Sequence, residues 1–245
     1  TAEHHGLQVT KPADVLNTIE IHRRAFDSHD VGAAFDRVIA VVVQPGVEFG
    51  NDSIDVYDPP AARDLSAVLD QAPQFVFEAH STDYQPQRAL SALVRDGFAI
   101  LKVGPHLTFA LREALYGLDM IAAELDGAGP LLRESMEAVM LKDDKYWKPY
   151  YQGAADELRR QRHFSYSDRI RYYWTTPEAR AAVDRLLQRL DNRPLPATLI
   201  GQYLGGLAEA VTDGAIEPRP GALLLAAVRS VLANYAVACR AKGGS

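Results

Sequence analysis

Arg37-Val-Ile-Ala-Val-Val-Val-Gln-Pro-Gly46 decides the fold class. It is a β-branched apolar run with no polar alternation, stopped by Pro45 and Gly46. A strand of that kind is expected to be buried on both faces, as strands of parallel sheets are. Two more such runs follow at 74–79 and 99–103, the latter closed by Gly104-Pro105. Helical patterns alternate with them at 11–28, about 60–70, about 87–96 and 108–125, with Thr10 a candidate N-cap and Pro12 in the first turn. Strand–helix alternation with short connections means βαβ units and an α/β fold with parallel strands.

From Gly129 onward the pattern is helical only, with segments at 131–140, 154–161, 168–174, 177–190, 199–212 and 221–239 separated by proline- and glycine-bearing turns. The expected organisation is therefore an α/β part over 1–128 and a helical extension over 129–245. Three parallel strands leave two bare edges. Either further strands exist, or the chain is the back portion of a larger α/β barrel.

Composition narrows the function classes. The 245 residues are 47% hydrophobic and 24% charged, enough apolar material for a core and too few like charges for disorder. The 26 basic and 32 acidic residues give a net charge of -6, which argues against nucleic-acid and membrane-surface partners. The single cysteine, Cys239, has no internal partner, which favours a reducing compartment or leaves the compartment open. The apolar runs 38–43 and 221–232 are too short or interrupted to span a bilayer, and Thr1–Gly6 is polar with no apolar leader segment. A cytoplasmic protein is expected. No phosphate-cradling glycine loop, nucleophile elbow, HExxH or CxxC motif is present.

In parallel α/β folds the reactive groups gather at the C-terminal ends of the strands. Gln44 and Gly46 follow the first strand. Glu78, His80, Ser81, Thr82 and Asp83 close the second, and Lys102 and Gly104 close the third. Glu78 and His80 are two apart on a strand and share a face. With Asp83 they suit an acid–base pair, a divalent cation or a buried polar network. A zinc site needs three or four converging ligands and only His80 is a good one, so no metal site and no cofactor are assigned. Lys102, inside an apolar strand, is expected either to be desolvated into an imine-forming nucleophile or to pair with Glu78. The turn Gly104-Pro-His-Leu-Thr108 feeds a helix N-terminus and suits a phosphate. Ser165-Tyr-Ser-Asp-Arg-Ile-Arg-Tyr-Tyr-Trp174 is the densest aromatic–basic stretch. Ser167 or Asp168 would cap a helix there, and Arg169 would serve either packing or contact with a phosphate or partner subunit.

At these same residues the sequence resembles a known family. Val41-Val-Val-Gln-Pro-Gly-Val-Glu-Phe49, Glu78-Ala-His-Ser-Thr-Asp-Tyr-Gln85, Ala99-Ile-Leu-Lys-Val-Gly-Pro-His-Leu-Thr-Phe-Ala-Leu-Arg-Glu-Ala114, Glu137-Ala-Val-Met-Leu141, Tyr166-Ser-Asp-Arg-Ile-Arg-Tyr-Tyr-Trp174, Gly201-Gln-Tyr-Leu204 and Val231-Leu-Ala-Asn-Tyr-Ala236 are similar to the non-catalytic (Z-type) subunit family of class II D-tagatose-bisphosphate aldolase. Members have also been labelled tagatose 6-phosphate kinases. The resemblance implies a TIM-type (β/α)8 barrel with a helical C-terminal extension, of which this chain would hold the sixth to eighth strands. It implies an accessory subunit in galactitol or N-acetylgalactosamine breakdown, supporting a separate catalytic aldolase subunit that holds the zinc, and a sugar phosphate in the barrel mouth. The alternatives are a ketose-bisphosphate aldolase in its own right, using Glu78, His80, Asp83 and Lys102, and a sugar-phosphate kinase.

Overall fold

The computed structural model describes residues 7–240. Contacts divide the chain into two compact units, one running through Gly104 and rejoined by residues from Ala233, the other Pro105–Leu232.

In the first unit, α1 (Pro12–Ser28) carries proline in its first turn, where a missing N–H is harmless. Thr10 is not its cap. Lys11 holds that position without a side-chain bond, and Thr10 Oγ1 instead accepts from the Gln44 amide at 2.8 Å. After α2 (Gly32–Phe35) come β1 (Ala40–Val43), β2 (Glu48–Phe49), β3 (Ile54–Asp55) and α3 (Pro59–Ser66). The helix expected over 60–70 tightens into a 3₁₀ turn at Ala67–Asp70. Then follow β4 (Val76–Ala79), α4 (Gln87–Arg95) and β5 (Ile100–Leu101). The sheet order is β1-β4-β5, both pairings parallel, as the alternation required. The β2–β3 hairpin and α2 are too short to show any periodicity in sequence.

The strands are shorter than expected and buried on one face only. Val43, Phe77 and Ala79 pack with Val15, Leu65, Leu93 and Phe98 in one core. On the other face the register sets Val42, Glu78 and Ile100 side by side. Val42 is 55% and Ile100 36% exposed. The apolar run predicted cover on both sides; among the described residues, the helices that pack into this core cover one.

The second unit is helical: α5 (Pro105–Asp126), which the expected boundary at 128 places with the α/β part, α6 (Leu132–Lys142), α7 (Ala155–Phe164), α8 (Pro177–Leu190), α9 (Ala197–Tyr203), α10 (Gly205–Thr212) and the start of α11 (Pro220–Arg240). The segment expected over 199–212 is two helices broken at Leu204. The reason lies in α5: a Cβ on Gly117 would come within 2.6 Å of the Tyr203 carbonyl and 2.5 Å of Leu204, so the glycine admits this corner against α5. Leu118, Ile121, Met136, Met140, Leu186 and Leu190 form the shared core. At α6 no local side chain caps the N-terminus, and buried Asp119 of α5 does so from a distance, accepting from the amides of Leu131 at 3.1 Å and Leu132 at 2.9 Å.

Two further expectations are corrected here. The helix expected over 168–174 is a 3₁₀ turn at Arg169–Tyr172. Asp168 sits before it in the left-handed region (φ 44°), with no capping bond. The C-terminal helix runs on to Arg240, so by length and composition α11 could cross a membrane, with a mean hydropathy of 1.7 over its best window. In this chain its Leu223, Val231 and Ala238 are buried, and its Leu225, Leu232 and Val237 are exposed.

Candidate functional site

The three parallel strands end on one edge, and the loops after them carry most of the polar residues singled out in the sequence. After β1 the chain turns at Gly46 (φ +92°), a conformation that favours glycine. Gln44 folds over this turn, its Oε1 accepting from the amides of Gly46 at 2.8 Å and Val47 at 2.9 Å. Its carbonyl side is thereby committed to shaping the loop.

At the end of β4, Glu78 and His80 do meet. His80 Nε2 donates to Glu78 Oε1 at 2.7 Å, with both side chains partly open to solvent. In the neutral ring this tautomer leaves the lone pair on Nδ1. A carboxylate that orients an imidazole while its other nitrogen is open is the arrangement a general base requires.

Asp83 does not join them. It is buried, and its Oδ1 accepts from the Gly104 amide at 2.8 Å. The same bond corrects the expectation for Gly104, whose N–H serves Asp83 rather than pointing to an incoming phosphate. Lys102 lies just beyond β5, which ends at Leu101, and is exposed. The desolvation expected for a lysine inside the strand is therefore not provided by the described residues. Its backbone is what the fold uses: the Lys102 carbonyl accepts from Thr82 Oγ1 at 2.9 Å.

The loop after β4 carries two of the positive-φ non-glycine residues, the two among the described residues that are neither Asp nor Asn. Ser81 (φ 55°) and Tyr84 (φ 62°) both occupy the left-handed region as non-glycine residues. Such strain persists only where surrounding contacts over-determine the backbone, and it marks functional loops. Those contacts are visible. Thr82 is fully buried, and Tyr235 of α11 donates to its carbonyl at 2.8 Å. Gln85 Oε1 accepts from the Tyr57 amide at 3.0 Å, and its Nε2 donates to the Asp55 carbonyl at 2.8 Å. The sequence places Thr82 among the polar residues closing the second strand but gives no role to Gln85 or Tyr235. The one available signal was a tyrosine, the sole aromatic residue, within a mostly apolar helix.

The aromatic–basic stretch lies in the helical unit and divides into core and surface. Ile170 and Tyr173 are buried, while Tyr172, Tyr146 and Tyr150 are exposed. Arg169 stacks over the Tyr150 ring at 3.0 Å and donates to the Tyr146 carbonyl at 3.2 Å. Asp168 is turned inward. Its Oδ2 accepts from Thr108 at 2.6 Å and its Oδ1 from Arg112 Nε at 3.1 Å, both ion-pair partners almost wholly buried. Burial pushes the Asp168 carboxyl up, and Arg112 and the Thr108 hydroxyl pull against it. Beside this pair, Tyr116 OH and His163 Nδ1 lie 2.6 Å apart, and His163 Nε2 lies 3.0 Å from Glu137 Oε2. Burial lowers the His163 pKa to about 4, so the ring is neutral at pH 7, donating to Glu137 and accepting from Tyr116. This is a structural network tying α5, α6 and α7 together. Among the described residues no three His, Cys, Asp or Glu side chains converge as metal ligands would.

The family model described as "D-tagatose-1,6-bisphosphate aldolase subunit GatZ/KbaZ-like" matches residues 1–240. A D-tagatose 6-phosphate 4-epimerase of Agrobacterium fabrum is 57% identical over 229 residues, covering 92% of this chain and 53% of the relative. A D-tagatose-1,6-bisphosphate aldolase subunit GatZ of Salmonella paratyphi B is 44% identical over 236 residues, covering 96% of this chain and 56% of the relative. A crystal structure of a "probable tagatose 6 phosphate kinase" from Sinorhizobium meliloti 1021 superposes with a TM-score of 0.93 at 55% identity, over 95% of this chain and 61% of that one. The chain thus spans between about half and three fifths of the length of these relatives.

Proposed function

The chain belongs to the D-tagatose-1,6-bisphosphate aldolase subunit GatZ/KbaZ-like family, and from that premise we propose that the full-length protein is an enzyme that inverts C4 of a tagatose 6-phosphate at the C-terminal edge of its strands. The observation that carries this reading is the Glu78–His80 pair. The name of the Agrobacterium relative, 57% identical, supports the substrate.

The chemistry links the two kinds of name found among the relatives. In a 2-ketose the C4 hydroxyl is β to the carbonyl. Removing its proton breaks the C3–C4 bond, whose electron pair moves to the C2 carbonyl as an enediolate, and C4 becomes an aldehyde. This is aldol cleavage. If the aldehyde turns its other face before the bond re-forms and the proton returns to O4, the product is the C4 epimer. His80, oriented by Glu78, takes and returns that proton. Lys102 stands at the same edge to offset the enediolate charge. Gln44, Gly46 and Ser81, in the loops at that edge, remain the candidates for holding the sugar phosphate; Gly104, whose amide serves Asp83, and Arg169, in the helical unit, do not. We further read β1, β4 and β5 as the sixth to eighth strands of a (β/α)8 barrel, with Val42, Glu78 and Ile100 facing its interior. The parallel order, the open face and the greater length of the relatives support this.

A second reading rests on the family description and the 44% identical GatZ relatives. In it the protein is a non-catalytic subunit that supports a zinc-dependent class II aldolase subunit in galactitol or N-acetylgalactosamine breakdown, with no cofactor of its own. Both readings suit a cytoplasmic protein without nucleic-acid or membrane partners. The full-length protein, incubated alone with tagatose 6-phosphate, is expected to form fructose 6-phosphate, and Glu78→Gln and His80→Ala are expected to lower kcat by roughly 10²–10⁴. No conversion alone, together with stimulated tagatose-bisphosphate cleavage on mixing with a catalytic class II subunit, would replace the first reading with the second.

A further inference from the structure

The loop that bears His80 is held from outside the sheet. Ser81 and Tyr84 keep positive φ angles that neither side chain favours. Between them Thr82, fully buried, gathers three segments. Its Oγ1 donates to the Lys102 carbonyl at 2.9 Å, joining the loop after β4 to the chain after β5. Its carbonyl accepts from the Tyr235 hydroxyl at 2.8 Å, and Tyr235 OH also lies 3.2 Å from Thr82 Oγ1. Next to it, Asp83 accepts the Gly104 amide.

Tyr235 stands among Ala233, Asn234, Ala236, Val237 and Ala238; Asn234 is exposed, and the Tyr235 hydroxyl is the group that bonds to the loop. Burial pushes the phenol well above its ordinary pKa, so it remains a donor across any assay range. A tyrosine contributes packing through its ring and direction through its O–H. Here the O–H lands on the main chain, where it restrains the backbone between the two strained residues.

We propose that Tyr235 is a positioning residue: its hydroxyl fixes the backbone after β4 and so holds His80 in reach of Glu78 and of the substrate. The proposal rests on the catalytic reading above and deepens it. Tyr235 touches no reacting atom. It acts through Thr82, two residues beyond His80, and brings the C-terminal helix into the make-up of the site.

The test is Tyr235→Phe in the full-length protein, a change that keeps the ring and removes the bond. Steady-state kinetics with tagatose 6-phosphate are expected to show kcat lowered roughly tenfold, the effect of one buried hydrogen bond, with KM within about twofold. Hydrogen exchange over residues 80–84 is expected to accelerate by a similar factor while the thermal midpoint barely moves. Thr82→Ser, which keeps both the hydroxyl and the carbonyl, is expected to retain activity. Unchanged exchange in the Tyr235→Phe loop overturns the anchor. Faster exchange with unchanged kcat overturns the positioning role. A wild-type protein that does not convert tagatose 6-phosphate overturns the catalytic reading instead, and the positioning role with it, while the exchange measurement alone still decides whether Tyr235 anchors the loop.

Discussion

Asp83 gives the sharpest separation between a chemical and an architectural carboxylate. By sequence it stands with Glu78 and His80; in the fold its side chain is buried and accepts from the Gly104 amide at 2.8 Å. Asp83→Ala removes the acceptor and leaves a partly buried amide unpaired. A hydrogen bond to a charged group contributes about 1.5–3 kcal/mol, and an orphaned buried donor costs about 1–3 kcal/mol. These describe the same event from two sides and do not add, so the expected loss is about 2 kcal/mol. Asp83→Asn keeps the acceptor oxygen and loses only the charge, for an expected loss under about 1 kcal/mol. Urea unfolding of the two variants reads these values from the midpoint, with the slope unchanged. Activity on tagatose 6-phosphate is the second readout. The asparagine variant is expected to keep kcat within a factor of about three, since an architectural acceptor needs no negative charge. An asparagine variant with native stability and a hundredfold lower kcat would refute the reasoning and return Asp83 to the acid–base machinery.

Two other expectations follow from buried groups. Asp119→Ala removes the remote cap of α6, with its bonds to the Leu131 and Leu132 amides. It is expected to destabilise by about 2 kcal/mol, from the lost cap and its charge at a helix N-terminus; faster exchange at Leu132 locates the effect, and a loss under about 0.5 kcal/mol would sink the assignment. His163 and His106 both have pKa values lowered to about 4 by burial. Unfolded histidines titrate near 6.5, so the unfolded chain binds more protons between 6.5 and 4, and stability from these groups is present above 6.5 and lost as pH falls. His163 contributes about 2 kcal/mol of that loss by pH 5 and His106, partly exposed and screened by solvent, less; urea midpoints that stay level between pH 7.5 and 5 would contradict it.

What the sequence by itself determined was the class of fold and the place of the chemistry. Val41, Val42 and Val43 could be nothing but strand, and the helix after each strand forced parallel pairing. That pairing put Gln44, His80 and Lys102 on one edge. Glu78 and His80 were legible as partners because a strand has a period of two. The rest needed the third dimension. Periodicity predicts that an apolar face will be covered but not by what, so the exposure of Val42 and Ile100 could not be read from the run itself. Asp83, Asp168 and Thr10 each looked like local groups, a base, a cap and another cap, and each instead bonds across at least 20 positions to Gly104, Arg112 and Gln44. Tyr235 reaches Thr82 over 153 positions. Local propensity fixes which residues can form a bond; only chain closure, which brings distant backbone amides and carbonyls within 3 Å, decides which of those bonds is made.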